Sequence, residues 1–240
     1  MNKNGLLYTL IFAFVSTFVF VVPLSFANEL TKDRVAENAV ISKAAAVLKA
    51  FGYTVNKEDR EGTKANFSQV KMHQLERLTP LGATPGNYKL LSADEAKNLQ
   101  LANPGAYLEV FETMGLDGTP LIGKLFTATG LWGPIQLVLS FDRDLTRIKG
   151  ISILAHGETP GLGARIDEAW YQDMITGEGY VDGKILLSST AVNRSDKNDG
   201  KIDVITGATR TSEGMGTVYN VARNEMLSIL EILQTQEAQP

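Results

Sequence analysis

Residues 203–212 read Asp203-Val204-Ile205-Thr206-Gly207-Ala208-Thr209-Arg210-Thr211-Ser212. Gly207 and Ala208 lack side-chain bulk, so a large group can approach the backbone there. Hydroxyls at Thr206, Thr209 and Thr211 surround them. A helical pattern follows at once, and a helix start offers free N–H groups and the positive end of its dipole. Such a segment can hold a phosphate. The same residue types also suit a plain turn with a helix cap.

A second loop, His156-Gly157-Glu158-Thr159-Pro160-Gly161-Leu162-Gly163, follows a strand pattern. Three glycines and a proline give it a defined shape with exposed backbone N–H groups, able to lie against a planar ring. Thr-Pro-Gly is also an ordinary turn. No dinucleotide fingerprint is present, because no G-x-G-x-x-G opens a helix. His73 and His156 are the only histidines, and nothing in the spacing supplies the orienting carboxylate of a hydrolase triad. Asp196, Asn198, Asp199 and Gly200 are out of register for a calcium loop and read as a solvated turn. Trp132 and Trp170 are expected in the core, and Arg165 and Arg210 either near phosphate or in solvent.

These loops need elements to position them. Residues 215–233 form an amphipathic helix, with Met215, Val218, Ala222, Met226, Ile229 and Leu233 on one face. Strands are expected over 107–111, 121–127, 135–141, 147–154 and 185–192, from alternating or β-rich runs between turn signals. Residues 92–101 open on Ser92-Ala93-Asp94-Glu95 and read as a short helix. Residues 30–51 are helical, with Thr31 as cap and Gly52 past the end. Residues 56–64 read as a charged loop, and Pro80, Pro85 and Pro104 punctuate short elements. The class is α+β, an antiparallel sheet with flanking helices.

The chain has 240 residues, no cysteine and a formal charge of −4. The charge argues against nucleic acid, and the missing thiols exclude disulfides, thiolate catalysis and cysteine-held clusters. Residues 5–27 carry no charge, and as a helix they span roughly 35 Å, enough for a hydrocarbon core. Lys3 before them and Glu29 after them place the N-terminus inside and the rest outside. A cleaved signal peptide ending near Ser25-Phe26-Ala27 is the alternative, and both readings export the remainder. The expected organisation is an anchor at 1–27, a stalk helix and further N-terminal part at 28–105, and a ligand-binding domain at 106–240.

Taken together, T-G-A-T and G-E-T-P-G-L-G resemble the FMN-binding domain family shared by components of two membrane complexes. One is the C subunit of the sodium-translocating NADH:quinone oxidoreductase, the other the G subunit of Rnf-type ion-translocating complexes. Similarity extends to the N-terminal span, to Arg34, Val35 and Asn38, and to Gly130-Leu131-Trp132-Gly133-Pro134. It is weak over about 55–105, and the overall pattern leans toward the first of the two. The resemblance implies FMN held covalently through a phosphoester to Thr209, attached by a flavin transferase. Asp203 then matches the acidic start of the motif, Thr206, Gly207 and Ala208 its next positions, and Thr211 the following hydroxyl. Glu158, Thr159, Gly161, Leu162 and Gly163 match the loop that lines the flavin ring. Backbone N–H groups of residues 161–163 are expected at the ring's carbonyl edge. The implied protein is an electron carrier on the outer side of a bacterial inner membrane, beside other membrane subunits. It would have no complete active site of its own. A free-standing exported flavoprotein and a non-redox assembly module are the alternatives.

Overall fold

The structure, a computed structural model, describes residues 5–56, 58–78, 86–190, 193 and 195–237. Lys3, Pro80, Pro85, Ala191 and Val192 lie outside them. Contacts divide the chain into two units, Met1–Ser42 and Lys43–Pro240.

The first unit consists of the greater part of helix α1, Leu6–Ala50. Its apolar stretch is long enough to cross a membrane and is the only such helix among the described residues. Thr31 does not cap a second helix as expected. It lies inside α1, and its hydroxyl donates to Ala27 O at 2.9 Å, four residues back. The helical run simply continues through it, since nothing between the two expected helices breaks the backbone ladder.

The second unit begins with the last turns of α1. Gly52, at φ +87, ends the helix, with Gly52 N–H donating to Lys49 O and Tyr53 N–H to Leu48 O. That left-handed turn is the C-terminal stop expected of a glycine there. The charged stretch after it is not all loop: helix α2, Arg60–Phe67, starts where the Asp59 carboxylate accepts Gly62 N–H at 2.8 Å.

The sheet has six strands: β1 (Lys71–Arg77), β2 (Tyr88–Leu90), β3 (Tyr107–Met114), β4 (Pro120–Thr129), β5 (Pro134–Asp142) and β6 (Ile148–Ala155). Their spatial order is β2-β1-β3-β4-β5-β6, and every pairing is antiparallel. Since β1 pairs with β3, the boundary expected at 105/106 runs through the sheet. Between β2 and β3 lies α3, Ala93–Ala102, opened by the Ser92–Glu95 capping box.

Alternation along the strands separates two cores. Val110, Ile122, Leu137, Leu139 and Phe141 face one layer, while Phe111, Leu121 and Val138 face the other. The first layer is closed by the last helix, α5 (Thr209–Glu237), whose Met215, Val218, Ala222, Met226, Ile229 and Leu233 are all buried. Ala46, Val47, Leu48 and Ala50 of α1, with Phe51 directly after it, close the second. Gly150 permits that approach, for a Cβ there would stand 2.1 Å from Ala50 O.

After β6 come a short helix α4 (Ala169–Ile175) and a small parallel pair, β7 (Leu186–Ser188) with β8 (Lys201–Asp203). The strand expected over 185–192 is thus three residues long within the described part.

Candidate functional site

Ile205 to Thr209 join β8 to α5 in a turn fixed from within. Ala208 N–H donates to Ile205 O at 2.9 Å, and Ser212 N–H donates to Ala208 O at 3.0 Å. The buried Ser212 hydroxyl accepts Ile205 N–H at 2.9 Å and donates to Ala208 O at 3.0 Å. Gly207 sits at φ +78, a left-handed conformation in which only glycine is unstrained. Ala208 therefore occupies the cap position of α5 without a side-chain acceptor to offer. Among the described residues no side chain accepts from the first-turn N–H groups of this 29-residue helix.

Thr209 is exposed at the first position of α5, and its hydroxyl has no hydrogen-bond partner among the described residues. Thr206 and Arg210 are exposed as well, Arg210 pairing with Glu213 at 3.4 Å. Thr211 is different. Its side chain is buried and its hydroxyl donates to the carboxylate of Glu158. Asp203 is buried too, within β8.

The second loop meets this turn directly. Thr159, Pro160, Gly161 and Leu162 form a type II turn: Leu162 N–H donates to Thr159 O at 3.1 Å, with Gly161 at φ +76. Ala164 N–H uses the same carbonyl. The Leu162 N–H expected at a ring edge is therefore spent inside the loop. Thr159 and Gly161 are exposed, and so is the apolar Leu162 side chain. A Cβ on Gly207 would lie 3.2 Å from Leu162 Cδ2, so the two motifs touch there. Gly163 is buried between them, where a Cβ would stand 2.4 Å from Glu158 Oε2 and 2.6 Å from Thr211 Oγ1.

Glu158, read from the sequence as part of the ring-lining face, points inward. Its other oxygen accepts Trp132 N–H at 3.0 Å, bringing the residue 130–133 loop to the same place. The base of the loop is set by His156, whose Nδ1 accepts Glu158 N–H at 3.0 Å while Nε2 faces Asp167 Oδ2 at 2.8 Å. That pairing makes the ring the tautomer protonated at Nε2 when neutral.

Trp132 is not a core residue as expected: it is 68% exposed, with Leu131 at 58%. Its loop ends in Gly133 at φ +150, whose carbonyl accepts Gly130 N–H at 2.8 Å, and this tight closure turns both side chains outward. Trp170 does pack partly against the core, and Arg165 lies over its ring at 5.0 Å and pairs with Glu168. Glu168 is held below the usual carboxylate range, first by the Trp170 indole N–H and then by Arg165. Sequence reasoning quoted Ser212 and Gly130 within their segments without giving either a role, and missed Gly214. Gly214 matters because a Cβ there would stand 1.8 Å from Thr129 O, so α5 rests on the end of β4. The G-x-x-G spacing of 130 and 133 was the available signal, while Ser212 carries none beyond its place in a helix start.

Among the described residues the assembled surface thus has threonine hydroxyls without a partner at 159, 206 and 209, the start of helix α5, a left-handed glycine and three exposed apolar side chains on loops tied together by one carboxylate. An anionic phosphate and a planar aromatic ring fit these groups. Residues 130–224 match the model of the FMN-binding domain. Over those residues the chain is similar to the FMN-binding domain family. The matched stretch contains all three converging segments.

Among relatives of the chain is the C subunit of the Na(+)-translocating NADH-quinone reductase of Neisseria meningitidis. It is 32% identical over 140 residues, or 55% of this chain and 53% of that protein, so the match spans about half of that relative. The corresponding protein of Pseudomonas aeruginosa is 28% identical over 241 residues, covering 91% of this chain and 92% of the other. The G subunit of the ion-translocating oxidoreductase complex of Methanosarcina acetivorans is 28% identical over 195 residues, covering 80% and 92%. A crystal structure of the NADH-quinone reductase C subunit from Parabacteroides distasonis shares the fold, with a TM-score of 0.62 at 22% identity, over 83% of this chain and 96% of that one.

Proposed function

We propose that this chain is an electron-transfer subunit with FMN held as a phosphoester on Thr209, within an ion-translocating oxidoreductase of the NADH:quinone or Rnf type. The observation that carries the reading is Thr209 itself, an exposed, unengaged hydroxyl on the first residue of an uncapped helix. Gly207, two residues before it, lies against Leu162. The relatives are named as parts of an NADH-quinone reductase and of an ion-translocating oxidoreductase complex, which supplies the kind of assembly.

In this reading Thr209 Oγ1 would displace a leaving group from the phosphorus of an activated flavin nucleotide, the hydroxyl proton departing with that group, so that the chain gains FMN less one water; a flavin transferase would be the partner in maturation. The first-turn N–H groups of α5 then offset the single negative charge that remains, by roughly 0.3–1 kcal/mol. Leu131, Trp132 and Leu162 exclude water from the faces of a planar ring, and the N–H groups of Gly161 and Gly163, without an acceptor among the described residues, are available to its edge. FMN supplies one- and two-electron redox chemistry, and the protein tunes and places it. No nicotinamide fingerprint is present in the sequence, so hydride abstraction from NADH belongs to another subunit. The N-terminal span of α1 is retained as the membrane anchor, with the FMN domain on the outer face, by the charge asymmetry of Lys3 and Glu29.

The test is covalency. Protein matured in a host with a flavin transferase and unfolded in SDS should keep yellow fluorescence on the polypeptide band, and Thr209→Ala should abolish it. A colourless band from the parent chain, or an equally fluorescent one from Thr209→Ala, overturns the reading.

A further inference from the structure

Glu158 is 6% exposed, and neither carboxylate oxygen is idle. One accepts Trp132 N–H at 3.0 Å and the other accepts the Thr211 hydroxyl. These partners sit on segments far apart in the chain, the loop leaving β4 and the first turn of α5. Glycine is needed on two sides of the carboxylate, because a Cβ at either Gly130 or Gly163 would stand 2.4 Å from one of its oxygens. A charge this deep costs folding energy unless hydrogen-bonded, so its two bonds are short of alternatives.

What the joint holds is a tryptophan ring kept in water. Trp132 is 68% exposed. Covering a side chain of that size is worth about 1.5–3 kcal/mol or more, which folding of this chain does not collect.

We propose that Glu158 is a positioning residue: it fixes the Trp132 ring relative to the Thr209 hydroxyl, two residues before Thr211 on the same helical turn. The inference rests on the reading of Thr209 as the flavin attachment point and adds the device that prepares the seat. Glu158 acts through Trp132 and Thr211 and does not itself meet the flavin. Because its two partners are both donors, the carboxylate matches them as it stands. An amide at 158 can also serve, its oxygen taking Trp132 N–H and its NH2 donating to the Thr211 oxygen, whose hydroxyl then reverses. A methyl group cannot.

The full chain is compared in detergent on a Trp170→Phe background, which leaves Trp132 as the sole tryptophan. Before flavin is attached, Glu158→Ala and Thr211→Val should both widen the fast local motion in the Trp132 anisotropy decay. They should also speed exchange of its amide by roughly tenfold or more. Glu158→Gln should match the parent. If Glu158→Ala does not fold, Thr211→Val, which replaces only a hydroxyl with a methyl group, carries the same comparison. Unchanged Trp132 motion and exchange in these variants overturns the joint, whatever the flavin does.

The flavin-loaded protein gives a second readout, the emission per bound flavin. Trp132→Leu should relieve quenching, Glu158→Ala should relieve part of it, and Glu158→Gln none. Relief in Trp132→Leu with none in Glu158→Ala, or no relief in Trp132→Leu, overturns the positioning role. Absence of flavin from Thr209 would instead defeat the proposed function, and the first comparison would still judge the joint.

Discussion

At the scale of single residues, the site depends on positions where one added carbon has nowhere to go. Gly163→Ala would drive its Cβ into the Glu158–Thr211 contact. It is expected to cost about 1–3 kcal/mol of stability, read as a lowered Tm, because the buried bond must open or the loop must shift. Gly207→Ala meets less crowding but keeps a left-handed φ, so about 1–2 kcal/mol of strain is expected. Glu178 gives a pH test away from the site. Burial first, and the Asp199 carboxylate after it, raise its carboxyl above the usual range. A carboxyl raised in the folded state binds its proton more tightly there, so stability falls as pH rises from the ordinary value through the folded one. Glu178→Gln should therefore melt higher than the parent at neutral pH, with the gap closing below about pH 4. No gap at neutral pH would contradict the direction of the shift. Thr209, Gly207 and Leu162 were legible as candidates because small residues, hydroxyls and a turn sequence stand out locally. The inward turn of Glu158 was not. Its partners lie 26 and 53 residues away, and a glutamate in a loop ordinarily signals solvent.

At the scale of elements, α5 is held to the sheet by more than its apolar face. Glu225 accepts Tyr88 Oη–H at 2.9 Å and Arg77 Nη2–H at 3.0 Å, and lies 3.4 Å from Lys124 Nζ. Burial pushes the Lys124 ammonium below its usual range, so its remaining carboxylate partner matters. Glu225→Ala leaves two cations facing each other without compensation and should cost about 3–5 kcal/mol in denaturant unfolding. A loss near that of a surface substitution would contradict the account. Strands β3 to β6 were readable because alternate side chains enter different layers, which writes a period of two into the sequence. Strand β1 was not, since Lys-Met-His-Gln-Leu-Glu-Arg buries only Leu75 fully and is placed by its neighbour β3. Helix α5 begins six residues before its apolar pattern does, because its first turn serves the loop contacts instead of the core.

At the scale of the whole molecule, the end of α1 belongs to the second unit. Val47, Leu48 and Phe51 are fully buried there. At about 1.5–3 kcal/mol each, their loss approaches the 5–15 kcal/mol by which a domain is usually stable. A chain starting at Lys43 should unfold cooperatively and stay monodisperse, whereas one starting at Tyr53 should aggregate through Phe111, Leu121 and Val138. Similar melting of the two would contradict that assignment. Hydropathy alone ends the anchor earlier, at residue 27, because it marks where a helix is apolar and not which surface receives it. The central claim, FMN joined to Thr209, is tested most directly by peptide mass mapping of matured full-length protein. The account predicts that the peptide containing Thr209 carries the added mass of FMN less one water, with fragmentation placing it on that residue. An unmodified peptide, or the same mass on Thr206 or Thr211, would contradict it.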